Sequence, residues 1–367
     1  MPDQSTGQVR ATELAERLYE WAKAEGALAA GSAQAVSSER GLLHRFAPPL
    51  AQRFPYAEGT LKRLKIVAVT ADDNAALVGV LVKNQVTDAA LKRLPNVING
   101  LTLRYIGHTD IEKAFPQPAP QSTTLGGSRF YQVNGSFACG SSVTAAPVAD
   151  AETMGALVRL RNGILCGLSD NHVTGNCNFT PTGMWILCPA PLDADPSLPP
   201  PTAIGRHHAF TLLRSRDPGQ VARQELDAAI FRIENELLVT SWQGTSAYDT
   251  PSITAAMAAN MRVKKIGRTT GETTGRVIGP VVTPLQIPYQ SAHFRALVHF
   301  TGIWAVANPT GNTFSEPGDS GSLVVTEDGA QAVGLLLGGS GPVSMVMPID
   351  SVLAAFDGAT LVDKHNL

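Results

Sequence analysis

The segment Ser315 to Ser322, SEPGDSGS, sets a serine between two glycines immediately ahead of the apolar run Leu323-Val324-Val325. A serine in such a turn has little bulk around it and a backbone free to present N–H groups, both of which an acyl-transfer nucleophile requires. The same residues also suit a plain Asp-Ser-Gly hairpin turn, so the reading depends on a base and an orienting acid elsewhere. Of the eight histidines, His172 alone follows an apolar strand-like run, through Leu168-Ser169-Asp170-Asn171. A strand that delivers a histidine at its end holds a general base rigidly. Asp227 opens Asp-Ala-Ala-Ile-Phe-Arg-Ile, and a carboxylate beside so apolar a strand is costly unless partnered, which a histidine would do. Asp193, Asp195 and Asp217 fall in polar or proline-rich loops and are read as solvated. Asp170 is too close to His172 in sequence to be its default partner.

The chain order is therefore His172, Asp227, Ser320. Order separates the known triad families, because Ser-Asp-His marks α/β-hydrolases and Asp-His-Ser marks subtilisins. An α/β-hydrolase would need His365, the only histidine after Ser320, as its base, and glycine at position 322, where serine stands. Both requirements count against that fold.

The elements that must position these groups divide the 367 residues in two. Leu14, Leu18 and Trp21 recur at helical spacing within residues 11 to 24, with Thr12 as expected N-cap. Residues 64 to 70 and 77 to 82 read as strands around a turn at 71 to 74, followed by a short helix over 86 to 94 and a strand over 101 to 106. This small α/β domain, residues 1–118, ends at Pro116, Pro118 and Pro120, and residues 119–127 form an expected linker. From 128 the texture changes to short β-prone runs punctuated by Gly, Pro, Asn and Asp, the pattern of an all-β barrel or sandwich. Its halves are expected at about 128–249 and 261–350, within a domain ending at 356, and 357–367 is read as a tail. Residues 195 to 201, DPSLPPP, cannot be a central strand, and 250 to 260 is expected to carry a helical turn.

Composition excludes several functions. With 29 basic and 31 acidic residues the net charge is −2, which gives no electrostatic case for nucleic acid or an anionic membrane. Charged residues are only 16 % and apolar ones 44 %, so the chain has material for real cores. The first twenty residues hold no signal-length apolar run and no span of membrane length occurs, which reads as a cytoplasmic protein. Cys139, Cys166, Cys177 and Cys188 lie in apolar contexts without a CxxC and are read as reduced core thiols, ahead of a structural zinc site with His172. His207-His208 would point to opposite faces of a strand, with a surface role expected. Lys264-Lys265 is too short a run for a nucleic-acid patch. The glycine-rich run 267 to 275 lacks the Gly-Lys of a phosphate loop and reads as a β-turn.

Gly318-Asp319-Ser320-Gly321 before a strand, with His172 and Asp227 ahead of it, resembles the chymotrypsin or trypsin-like serine peptidase family. The run Gly-Arg-Thr-Thr-Gly-Glu-Thr-Thr-Gly at 267 to 275 resembles the hairpin entering the second barrel of bacterial members. Together with Asn171-His172-Val173, it is similar to the plant narrow-leaf-type trypsin-like proteases and their bacterial relatives. The resemblance covers about residues 125 to 355. It implies a mainly β, chymotrypsin-like double β-barrel behind the small α/β domain, with the site in the crevice between the halves. By that likeness Ser320 is the nucleophile, His172 the base and Asp227 the orienting acid, and the N–H groups of Gly318 and Ser320 form the oxyanion hole. No metal or organic cofactor is implied. Phe314, six residues before the serine, would sit at the base of the specificity pocket, with core as the equal alternative. Gly338, Gly339 and Ser340 would form the pocket wall and the edge that pairs with substrate. An uncharged P1 residue follows. The partners implied are protein or peptide substrates, without nucleic acid or membrane, and a homo-oligomer is allowed. A catalytically silent binding scaffold and a non-proteolytic esterase are the competing readings.

Overall fold

The computed structural model describes residues 10–29, 48–107, 130–148, 150–194, 199–214, 226–282, 284–291, 293, 295–308, 312–340 and 342–367. The expected linker at 119–127 lies outside them. The chain forms two compact units, Met1–Asp110 with Ile278–Leu285, and Ile111–Val277 with Gln286–Leu367.

The first unit is a four-stranded mixed sheet in the order Ile66–Asp72, Leu77–Val82, Leu101–Ile106, Val97–Ile98. The middle pair is parallel and the outer pairs antiparallel. Helix Ala11–Ala24 buries Leu14, Leu18 and Trp21 in the core that it shares with helix Ala57–Leu64 and the sheet, as its 3.6-residue spacing dictates. Thr12 is not the cap. That position is Arg10, and Thr12 instead gives its backbone N–H and hydroxyl to Asp73, each at 2.9 Å. The helix expected over 86 to 94 is only Asp88–Leu91, capped by Thr87 and burying no side chain, so tertiary packing does not extend it. Val281 bridges Thr70 and so adds residues 278–285 to this unit.

The second unit is the double β-barrel expected from the sequence. In its first half an eight-stranded sheet runs Thr360–Leu361, Ala156–Arg159, Leu165–Ser169, Ala229–Ile233, Thr202–Phe210, Trp185–Cys188, Ser142–Ala145, Glu152–Thr153. A four-stranded sheet built around Val239–Gln243 and Ser136–Cys139 shares its core, in which Phe137, Leu157, Leu165, Phe231 and Val239 are buried. Thr360–Leu361 thus brings part of the expected tail into the sheet as an edge strand. The second half is a closed barrel of Arg262–Gly267, Gly271–Pro280, Trp304–Ala307, Val343–Pro348, Ala332–Ser340 and Leu323–Thr326. Closure removes the exposed sheet edges that short strands would otherwise present. Residues 250 to 260 carry no helical turn, and Thr254 instead bridges Ala332. All four cysteines are buried free thiols; burial pushes Cys139 and Cys166 up to about 12.

Candidate active site

Strand Leu165–Ser169 ends in the helical turn Asn171–Thr174, which carries His172. The neighbouring antiparallel strand Ala229–Ile233 is preceded by Asp227, so sheet register alone brings the two side chains together. His172 Nδ1 lies 2.5 Å from Asp227 Oδ2, and the histidine's backbone N–H donates to Oδ1 at 2.9 Å. Tyr289, from the hairpin strand Leu285–Gln290, donates its hydroxyl to Oδ2 at 2.6 Å. Burial alone would push the Asp227 carboxyl up, but the His172 charge and these three hydrogen bonds hold it below the usual carboxylate range. Asp227 and His172 are both buried.

Ser320 sits in the turn before Leu323–Thr326, and its carbonyl accepts from Thr153 N–H at 3.1 Å. The turn is packed against the end of the strand that delivers the histidine. A Cβ on Gly321, at φ +87°, would lie 2.6 Å from Ser169 Oγ and 3.3 Å from Asp170 N. Gly318 is at φ +98°, where a side chain would also strike Thr269 Oγ1 at 2.3 Å, so only glycine fits. Among the described residues, neither the Gly318 nor the Ser320 N–H has a hydrogen-bond partner. The residue between them is the anchor. Asp319 Oδ2 accepts from Lys265 Nζ and Glu316 N–H, each at 3.0 Å, and Oδ1 from Thr269 N–H at 2.8 Å and Thr270 N–H at 3.1 Å. Burial raises the Asp319 carboxyl, yet the Lys265 charge and these donors bring it below its ordinary value. Lys265 is itself fully buried.

A second buried ion pair braces the same region. Arg268 Nε donates to Asp193 Oδ2 at 2.7 Å and Nη2 to Oδ1 at 2.5 Å, while its backbone N–H reaches Thr153 Oγ1. Asp193 is therefore not the solvated loop residue expected from its proline-rich surroundings. Thr153 in turn donates its hydroxyl to Gly318 O at 2.8 Å.

Phe314 lies wholly inside the second barrel, packed with Val306, Val277 and Leu336 in its apolar core. Gly338, Gly339 and Ser340 pair with Met345, Ser344 and Val343, and a Cβ on Gly338 would stand 3.9 Å from Ser320 Oγ. His207, expected at the surface, is buried and stacked on Phe210; burial and the nearby His208 push it down to about 4. Asp195 and Asp217 lie outside the described residues.

Sequence reasoning missed Glu152, Asp170's burial, Tyr289 and Lys265. Glu152 is buried, and its Oε2 lies 2.9 Å from His172 Nε2. Asp170 is fully buried, and neither carboxyl oxygen has a hydrogen-bond partner among the described residues. Burial first, then the charges of Asp227 and Glu152, raise its carboxyl well above 3.8, with His172 opposing. A raised native pKa means stability that is fully present at low pH and lost as pH rises above 3.8. Asp170→Asn will therefore gain on wild type by about 1.4 kcal/mol per pH unit on leaving that value, until Asp170 ionises in the native state. Urea melts across pH 4 to 7 measure this, and parallel pH profiles would refute it.

Asp170, His172 and Asp227 offer ligand atoms within 4.8 Å of one another, close enough for a metal ion. The 2.5 Å Nδ1–Oδ2 hydrogen bond accounts for the closeness, and a metal there would have to displace its proton.

Tyr289→Phe tests the hydroxyl on Asp227. A hydrogen bond to a charged group contributes about 1.5–3 kcal/mol, so the variant should lose roughly ten-fold or more in reaction with a serine-directed probe. An unchanged rate would show that the hydroxyl does not orient the carboxylate.

No protein-family model matches the chain, and no curated protein matches it. Among solved structures it is similar to protease A of Thermobifida fusca, at 20% identity and TM-score 0.38, over 62% of this chain and 99% of that one. It is similar also to a chymotrypsin of Cellulomonas bogoriensis, at 20% identity and TM-score 0.39, over 61% and 97%. A glutamic acid-specific serine protease overlaps it at 16% identity and TM-score 0.40, over 61% and 100%. The neighbours are named as proteases, and likenesses at this identity and TM-score carry no assignment of individual residues.

Proposed function

We propose that the chain is a serine endopeptidase of the trypsin-like kind, with Ser320, His172 and Asp227 as its triad. The observation that carries the reading is the buried His172–Asp227 hydrogen bond, 2.5 Å long, set beside a Gly-Asp-Ser-Gly turn whose Gly318 and Ser320 N–H groups are uncommitted among the described residues. Asp227, holding three donors, fixes the tautomer with hydrogen on Nδ1 and leaves Nε2 as the base. Ser320 Oγ attacks the scissile carbonyl carbon as its proton passes to Nε2, and the carbonyl oxygen becomes an oxyanion facing the N–H groups of Gly318 and Ser320. Collapse breaks the C–N bond, the proton goes to the leaving amine, and water repeats the sequence on the acyl-enzyme.

An extended peptide is the substrate this edge suits. Gly338 to Ser340 are paired on one side, whereas on the other side the described backbone bonds from Gly321, Ser322 and the strand Leu323–Thr326 run no further along than Leu336. Main-chain groups beyond that point can take a substrate strand by β-addition. Phe314 being core, specificity rests with the walls, Gly338 and Gly339, and an uncharged P1 residue remains the reading. Limited proteolysis of cytoplasmic proteins, with the N-terminal unit recruiting or restraining, is part of the same proposal.

One observation favours a silent binding scaffold instead, namely Glu152 on the nitrogen that the mechanism needs. Intact-mass analysis after fluorophosphonate treatment decides between them. A single adduct on wild type that Ser320→Ala and His172→Ala both abolish supports the peptidase, and peptide-library cleavage then separates it from an esterase. No adduct on wild type or on Glu152→Ala overturns it.

A further inference from the structure

We propose that Glu152 is a built-in gate, whose carboxyl holds His172 in a latent state until it leaves Nε2. The inference rests on the triad reading of His172. Both ring nitrogens face carboxyl oxygens, Asp227 at 2.5 Å on Nδ1 and Glu152 at 2.9 Å on Nε2. With Asp227 held ionised by its three donors, two distributions of protons make both contacts favourable. In one, the ring is an imidazolium donating on both sides. In the other, Nδ1–H donates to Asp227 while Nε2 accepts from a protonated Glu152. Neither leaves a lone pair on Nε2 for the Ser320 proton.

Glu152 is placed at a cost. Its second oxygen, Oε1, is buried and has no hydrogen-bond partner among the described residues. A half-satisfied buried carboxyl is a standing penalty that a change of rotamer can relieve. The backbone beneath it does not share that freedom. Thr153, the next residue, is bonded to the Ser320 and Gly318 carbonyls, to Arg268 N–H and to Ser169 Oγ. Glu152 can therefore leave by side-chain rotation on a fixed strand, without disturbing the nucleophile turn. Among the described residues the two-residue strand Glu152–Thr153 is also the last of its sheet, paired with Ser142–Ala145 alone.

The charge around His172 gives the gate its direction. The ring is faced by the carboxyls of Asp227, Asp170 and Glu152 and by the edge-on ring of Tyr289, from four different segments. An ionised Glu152 stabilises the imidazolium beyond what Asp227 does, so falling pH closes the gate and rising pH opens it.

The full chain and its Glu152→Ala and Glu152→Gln variants are compared for the rate of fluorophosphonate labelling at Ser320 from pH 5 to 9. In parallel, NMR follows titration of the His172 ring, with His172→Ala assigning the signal. Glu152→Ala is expected to label ten-fold or more faster at pH 7, with the acid limb and the His172 titration displaced to lower pH. Glu152→Gln keeps the volume without the charge, so it is expected to show the same displacement with a smaller gain in rate. Unchanged titration in both variants, or a displaced titration with slower labelling in Glu152→Ala, overturns the gate. If His172 titrates lower in Glu152→Ala but no form labels, the proton contact stands and the nucleophile reading fails instead, taking the gate with it.

Discussion

Asp227→Asn will lower the fluorophosphonate labelling rate by about four orders of magnitude while the protein stays folded. The carboxylate accepts on both oxygens, from the His172 backbone N–H on Oδ1 and from Nδ1–H and the Tyr289 hydroxyl on Oδ2. An asparagine presents one oxygen and one NH2, so one side must set donor against donor. Turning the NH2 toward the backbone N–H leaves a clash that nothing nearby can relieve. Turning it toward Nδ1 is the easier solution, because the ring can shift its hydrogen to Nε2 and the tyrosine hydroxyl can accept. That shift removes the base from the side where Ser320 needs it. Thermal unfolding should move little, since the amide keeps most of the packing and loses the difference between charged and neutral hydrogen bonds. A loss under ten-fold in the folded variant would show that Asp227 does not set the tautomer, and the triad reading would fall.

What was legible in the sequence was chemistry of type. A serine between glycines, a histidine after an apolar run and an aspartate ahead of one are local signals, and the sheet register then joins two of them. The strand texture after residue 128 likewise carried an all-β barrel or sandwich, and the choice of a double barrel came from the resemblance rather than from the texture. The residues that tune the site had no local signal. Glu152 lies 20 positions from His172, Tyr289 62 from Asp227, and Arg268 75 from Asp193. Such pairs are created by barrel topology, and each reads in sequence as an ordinary polar residue. Asp193 shows the failure plainly, since a proline-rich flank predicted solvent and the folded chain brought an arginine. Phe314, for which pocket base and core both stood open, is buried in the apolar interior of the second barrel. Thr12 was a good cap by type, but Asp73 captured it.

The second large effect belongs to Lys265. Its ammonium is buried against Asp319, with further bonds to the Thr270 hydroxyl and to Gly271 O at 3.2 Å. Lys265→Met keeps the shape and removes the charge, leaving Asp319 buried with hydrogen bonds but no counter-ion. Breaking one side of a buried pair costs about 3–5 kcal/mol, visible in urea unfolding. The pH dependence has a definite sign. In wild type the lowered Asp319 carboxyl contributes stability above 3.8 that is lost as pH falls through its native value. In Lys265→Met the same carboxyl loses the charge that opposes its burial and sits higher than in wild type, so the variant's deficit is smallest in acid and grows as pH rises. The gap between the two proteins must therefore narrow below about pH 3.8. The double variant Lys265→Met with Asp319→Leu separates stability from function. An apolar pair removes the unpaired charge and should recover part of the lost stability, offset by the three N–H groups that lose their acceptor. It should not recover labelling at Ser320, because the carboxylate that fixes the N–H groups of Glu316, Thr269 and Thr270 around the turn is gone. A stable double variant that labels at the wild-type rate would mean that the Gly318–Ser320 turn holds its shape without Asp319.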